Sequence, residues 1–280
     1  MKFKITHITT YLFDSEVFLE PHYLRFRPSQ TSYVDVSEFA LTILPQPAGH
    51  KMVQDEDNNS VDFCWFEGMT SQLTIKAESV LETKPYNPFN FLIYPQNFNT
   101  LPFQYNVLQK KLLFSALEVV PISKVLSDYA LSILQRSNFN TIPYLTNLTK
   151  QLHDDFSVEY RADGAPFIPD ETFQLKRGSC RDLSWMLINV LRQQGLAARF
   201  VSGYYYFDMV NPAYELHAWV DVYLPGIGWF GLDPSHGILT GNTHFPIASS
   251  AHYEHTMPVS GGIRGSASSK LNTELIIEKL

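Results

Sequence analysis

The sequence predicts an α+β protein, with an antiparallel β-sandwich first and a mixed helix-and-sheet domain after it. Three observations carry the prediction. Apolar residues alternate with period two through roughly the first hundred positions, a Pro- and Asn-rich connection then interrupts them, and helical periodicity begins beyond it. At 45% apolar and 18% charged residues, with 15 Tyr and 20 Phe, the 280-residue chain has side chains enough for two cores.

The first strand is read from Phe3, Ile5, His7, Thr9 and Tyr11, which alternate with polar partners. Further strands follow at Phe39, Leu41 and Ile43, at Val61, Phe63 and Trp65, and at Leu73, Ile75 and Ala77. Pro- and Gly-containing or polar turns separate them, at Pro28-Ser29-Gln30, at Pro45 to Gly49 and at Asp55 to Ser60. The pattern lapses between Lys84 and Pro102, which divides the chain into a β-rich domain over 1–105 and a second domain over 106–280. Leu126, Ala130, Ile133 and Leu134 share one helical face, and Leu145, Leu148, Leu152 and Phe156 share another. The clearest helix runs over 180–194, striped by Leu183, Met186, Leu187, Val190 and Leu191 and closed by Gly195. Strands are expected at 197–206, 215–224 and 229–233, the last two joined as a hairpin by Pro225-Gly226-Ile227-Gly228. From 234 onward the chain reads as irregular, with a closing strand from Leu271 to Ile277.

Composition also excludes several functions. A net charge of −7 without any Lys/Arg run argues against nucleic acid and against an anionic membrane surface. Met1-Lys2-Phe3-Lys4-Ile5-Thr6 lacks the apolar run of a secretory signal, and no stretch approaches the ~18 apolar residues of a membrane span. Two cysteines make no disulfide framework, so a reduced, cytoplasmic setting is expected. No cofactor motif and no acidic calcium loop is present.

The chemistry centres on Cys180, which follows Gly178-Ser179 and opens the striped helix. A thiol at that position meets unpaired N–H groups and the positive end of the helix dipole, conditions that favour the thiolate nucleophile. Position alone leaves a small buried core thiol open. His217 and Asp233 lie on facing strands of the hairpin: His217, Trp219 and Asp221 share one face, as do Trp229, Gly231 and Asp233. An imidazole and a carboxylate so placed can hydrogen-bond across the ladder, fixing the ring's tautomer and supporting its cation. Either residue by itself is equally a solvated His or a turn Asp before Pro234.

Taken together, a helix-opening Cys, a strand His and a strand Asp in that order resemble bacterial transglutaminase-like proteins. Arg177-Gly178-Ser179-Cys180-Arg181-Asp182, Val201-Ser202-Gly203-Tyr204, His217-Ala218-Trp219-Val220 and Trp229 to Ser235 carry the resemblance, over about residues 120–265. Thr6 to Tyr11 and Leu24-Arg25-Phe26-Arg27-Pro28 resemble the β-rich N-terminal domain of the same proteins. The resemblance implies a papain-like catalytic domain and a Cys180–His217–Asp233 site. The chain departs from the family at Asn58-Asn59, where relatives have Gly-Asn, at Pro234-Ser235-His236, and at Ser250 to His255. The Cys180 N–H is the natural first oxyanion donor. Tyr160 and Gln174 are the candidates for the second, against plain readings as a core aromatic and a surface helix residue. His236, His244, His252 and His255 fall in a stretch without thiolate or carboxylate support and are read as no metal site. The expected reaction is acyl transfer on a peptide or protein amide, with hydrolysis favoured. Transglutaminase-type amine transfer and a non-catalytic binding or scaffolding protein are the alternatives.

Overall fold

The computed structural model describes residues 1–161, 164–210 and 212–280. The opening strands are β1 (Lys2–Leu24), β2 (Val34–Leu44), β3 (Gly49–Gln54), β4 (Ser60–Trp65) and β5 (Thr70–Thr83). Then come α1 (Val107–Leu112), α2 (Lys124–Arg136), α3 (Thr141–Asp155), β6 (Ser157–Val158), α4 (Pro169–Leu175), β7 (Arg177–Gly178) and α5 (Cys180–Gln193). Seven strands close the described chain: β8 (Ala198–Tyr205), β9 (His217–Leu224), β10 (Gly228–Asp233), β11 (Ile238–Leu239), β12 (His244–Ser250), β13 (Val259–Arg264) and β14 (Ser269–Lys279).

β1 is long because the alternation that starts at Phe3 resumes after a polar interruption at Asp14-Ser15-Glu16. The strand changes partners there. Its first half lies between β5 and β14, with β2 outside β5; its second half pairs with β4 and β13, with β3 outside β4. One antiparallel sheet therefore curls on itself, and Val17, Leu19, Cys64 and Phe66 from one half meet Leu73, Ile75 and Ala77 from the other. The closing strands β13 and β14 belong to this sheet, so residues 259–279 return to the structure that the opening residues begin.

The phase of β4 differs from the sequence expectation. Val61 is buried as expected, but Trp65 is exposed and Phe63 half-buried, while Asp62 and Cys64 face inward. β4 has side chains able to pack on both of its faces, so alternation does not set its phase; specific partners do. His50 Nε2 and Arg27 reach the buried Asp62 carboxylate at 2.8 and 3.5 Å, and the Trp65 ring covers Gly49 across the ladder. Burial, with Asp62 nearby, pushes the Cys64 thiol up to about 12, so this cysteine is a core group.

In the second half of the chain, Leu183, Met186, Leu187, Val190 and Leu191 of α5 are all buried, and the helix packs on β8 and β9. Gly195, at φ 81°, takes the left-handed turn that ends it. The sheet runs in the order β11-β10-β9-β8-β12. The stretch after 234 is thus more regular than its sequence suggests: β12 pairs with β8 and β13 with β1, remote partners that local periodicity does not report. Gly203 of β8 lies between His217 of β9 and Pro246 of β12. A Cβ there would come within 2.3 Å of the Phe245 carbonyl oxygen and 2.5 Å of the Trp219 ring. Because the nearest obstacle is backbone, Gly203→Ala is expected to destabilise the protein by about 1–3 kcal/mol, read as a lower thermal midpoint.

The two parts meet through Phe3, Ile5, Val34 and Leu81 on one side and Tyr204, Phe245 and Ile247 on the other. Asn58 takes the left-handed conformation (φ 64°) that its place in the turn requires. Asn59 beside it docks on β12: its Nδ2 donates to Ser249 O at 3.0 Å, and Ser249 N–H donates to its Oδ1 at 2.8 Å. Among the described residues no helix is long and apolar enough to cross a membrane.

Candidate active site

Cys180 is placed by the start of α5. The fully buried Asp182 carboxylate accepts from the N–H and O–H of Ser179, the N-cap, at 2.6 and 2.7 Å. It also accepts from Phe167 N–H at 2.7 Å and pairs with Arg161. Burial alone would raise this carboxyl; Arg161 and the Phe167 and Ser179 donors outweigh it and hold the group below its usual range. Asp182 thus clamps the segment before α4 to the helix start, leaving Cys180 half-buried in the first turn.

His217 is the first residue of β9 and Asp233 the last of β10. The hairpin register sets Leu232 opposite Val220, which brings Asp233 alongside His217 on a shared face. His217 Nε2 meets Asp233 Oδ2 at 2.8 Å. The other side of the ring hydrogen-bonds the Cys180 side chain. Burial opposes the imidazolium; the Asp233 charge and hydrogen bond, then Cys180, overcome it and raise His217 to about 10. The same contacts, against burial, hold Asp233 well below the usual carboxylate range.

Asp233 serves more than one imidazole. Its Oδ2 also meets His236 Nδ1 at 2.9 Å and His244 Nε2 at 3.2 Å, and its Oδ1 accepts from the N–H groups of Ser235 at 3.0 Å and His236 at 3.3 Å. A carboxylate only accepts, so each of those three ring nitrogens carries a proton. For His217 this puts Nε2–H toward Asp233 and turns Nδ1 toward Cys180, the nitrogen that carries the second proton when the ring is charged. The possible ligand atoms of His217, Asp233 and His236 lie within 4.8 Å of one another, and both imidazoles already point an N–H at Oδ2. Tyr205 stacks on His244 at 4.3 Å between ring centres and lies 4.6 Å from His236, lining this group of rings.

Over residues 3–82 the chain matches the bacterial transglutaminase-like N-terminal region, and over 136–234 the transglutaminase-like superfamily, a span that includes all three site residues. The chain belongs to the transglutaminase-like superfamily. An uncharacterized protein of Mycobacterium bovis is 24% identical over 275 residues, covering 93% of this chain and 87% of its own. A protein-glutamine gamma-glutamyltransferase of Pseudomonas aeruginosa is 31% identical over 96 residues, which are 31% of this chain and 14% of that one. Among solved structures, a Cytophaga hutchinsonii protein described as a candidate cysteine protease aligns with all of this chain and 91% of its own. Its TM-score is 0.71 at 18% identity, which shows a shared fold.

The two oxyanion candidates lie on different elements, Tyr160 just after β6 and Gln174 on α4. β6 pairs in parallel with β7, and Glu159 N–H donates to Gly178 O at 2.8 Å, so the chain at Tyr160 runs beside the start of α5. The Tyr160 side chain is 65% exposed. Gln174 lies on α4 with its side chain in solvent. Sequence reading set His236 and His244 aside with His252 and His255; the structure separates them. The first two converge on Asp233, while His252 faces Glu118 at 3.5 Å. The signal that would have found His244 is its place at the head of the apolar stretch His244-Phe245-Pro246-Ile247-Ala248, a strand opening like that of His217.

Proposed function

We propose that the protein is a cysteine-dependent acyl-transfer enzyme acting on peptide or protein amides through a thioacyl-enzyme, with water as the usual acceptor. The observation that carries the reading is His217 held between Cys180 and a buried carboxylate, one ring nitrogen on each. With the imidazolium favoured, Nδ1–H stands toward Cys180, and the Cys180 thiolate attacks the amide carbonyl carbon. The Cys180 N–H, at the positive end of α5, receives the developing oxyanion, and Tyr160 is the second donor. Collapse breaks the C–N bond, and Nδ1–H protonates the departing amine. Water then gives a proton to Nδ1, adds to the thioester, and displaces the sulfur as the thiolate, which restores the Cys180–His217 pair.

A second reading replaces water with an amine. It is favoured by the 31% identity over 96 residues to a protein-glutamine gamma-glutamyltransferase. Both readings share Cys180 and part only at the last step, because the cleft and not the Cys-His-Asp group chooses the acceptor.

The test is incubation of wild type and Cys180→Ala with peptides bearing Gln and Lys, with products read by mass spectrometry. Cleavage or a one-unit deamidation shift that needs Cys180 supports hydrolysis, and amine incorporation supports the second reading. A wild type that matches Cys180→Ala, with a Cys180 no faster toward iodoacetamide than Cys64, would point instead to a binding or scaffolding role.

A further inference from the structure

His244 is 1% exposed, yet its ring has a polar partner on each nitrogen. Nε2 faces Asp233 Oδ2 at 3.2 Å, and Nδ1 accepts from Gly241 N–H at 3.3 Å. The Gly241 bond occupies the Nδ1 lone pair, so the ring is held as the neutral tautomer with its proton on Nε2. Tyr205 stacks on one face at 4.3 Å and Trp219 meets the ring edge-on at 5.3 Å, so rotation is blocked. The titratable groups around it are Asp233 from β10, His217 from β9, Tyr205 from β8 and His236 from the loop after β10. Burial, with His217 and His236 adding to it, keeps His244 below its usual value against the pull of Asp233, consistent with a permanently neutral donor.

We infer that His244 is a positioning residue for the reacting pair, an immobile neutral donor that fixes Asp233 Oδ2 and limits how tightly that oxygen retains the His217 proton. The geometry gives the sign. The positive end of the His244 N–H bond points at the same oxygen that holds His217 Nε2–H, so it opposes positive charge on His217. Without it the carboxylate would act on His217 more strongly, and an imidazolium held too firmly is a poorer acid for the departing amine. The serial order of strands explains why no local pattern shows this: His244 reaches Asp233 from β12, across β8 and β9 in the sheet.

The inference rests on the acyl-transfer reading of Cys180 and His217, and its test keeps the two apart. Nitrogen-15 NMR titration of His217, assigned with His217→Gln, is compared in wild type, His244→Phe, His244→Leu and His244→Gln. The Phe and Leu variants, either of which suffices if the other does not fold, are expected to raise the His217 midpoint by about half a unit to one unit. His244→Gln, which returns an N–H near the position of Nε2, is expected to bring it back toward wild type. An unchanged midpoint in the variants without the donor, or no recovery with Gln, overturns the inference. Iodoacetamide labelling of wild-type Cys180 in the same samples judges the acyl-transfer reading separately: a slow thiol would sink that reading while the titration still decides the role of His244.

Discussion

Asp233→Asn is expected to slow the Cys180-dependent reaction by about 10³–10⁴-fold, with KM within a few-fold of wild type. Five N–H groups converge on the native carboxylate: three imidazoles on Oδ2 and two backbone groups on Oδ1. An amide has only one oxygen to offer them. If that oxygen takes the place of Oδ2, the NH₂ confronts the N–H groups of Ser235 and His236; if the amide flips, it confronts the three rings. Either way donors oppose donors in a fully buried place, and a donor left unsatisfied there costs about 1–3 kcal/mol. The rate falls for a related reason. His217 escapes the conflict by moving its proton to Nδ1, which then points at Cys180 and has no lone pair to accept from it. Steady-state kinetics on any peptide that wild type turns over, together with thermal unfolding, checks both parts. A loss below tenfold would remove Asp233 from the role assigned to it.

Much of this arrangement was legible in the chain. Alternation placed β9 and β10, Pro225 to Gly228 joined them, and the resulting register alone brings His217 alongside Asp233. The stripe of α5 and its Gly195 terminus placed Cys180 at a helix start for equally local reasons. What stayed hidden depends on partners far away in sequence. β4 has packing side chains on both faces, and its phase is set by Arg27 and His50 reaching Asp62. Similarly, nothing in Ser250 to Lys279 announces that β13 and β14 will flank β1, because a strand carries its alternation and not the address of its partner.

The same limit explains the histidines. His236, His244, His252 and His255 look alike in a Gly- and Ser-rich stretch, and no ligand spacing distinguishes them. Only the order β11-β10-β9-β8-β12 puts the first residue of β12 within reach of the last residue of β10. The buried Asp233 supplies the physical preference: a carboxylate without solvent collects every donor that can reach it.

Stability is expected to be greatest near pH 6.5 and to fall on both sides, through two histidines shifted in opposite directions. His7 is buried between the two parts of the chain, with Nδ1 3.2 Å from the Tyr204 hydroxyl, and burial lowers it to about 4. Its folded value lies below its unfolded value of about 6.5, so the unfolded chain binds the extra proton first. Stability is therefore lost as pH falls from about 6.5 through 4, by about 3 kcal/mol at most. His217 has the reverse sign. Burial opposes its cation but Asp233 and Cys180 prevail and raise it to about 10, so its contribution is complete below about 6.5 and disappears as pH rises through 10. Thermal midpoints measured from pH 4 to 10 should give a dome, and single variants should take its sides apart. His7→Gln is expected to flatten the acid side and leave the alkaline side alone. His217→Gln, which can still donate to Asp233, is expected to do the opposite. An alkaline side that persists unchanged in His217→Gln would mean that the imidazolium–carboxylate pair contributes nothing to the fold.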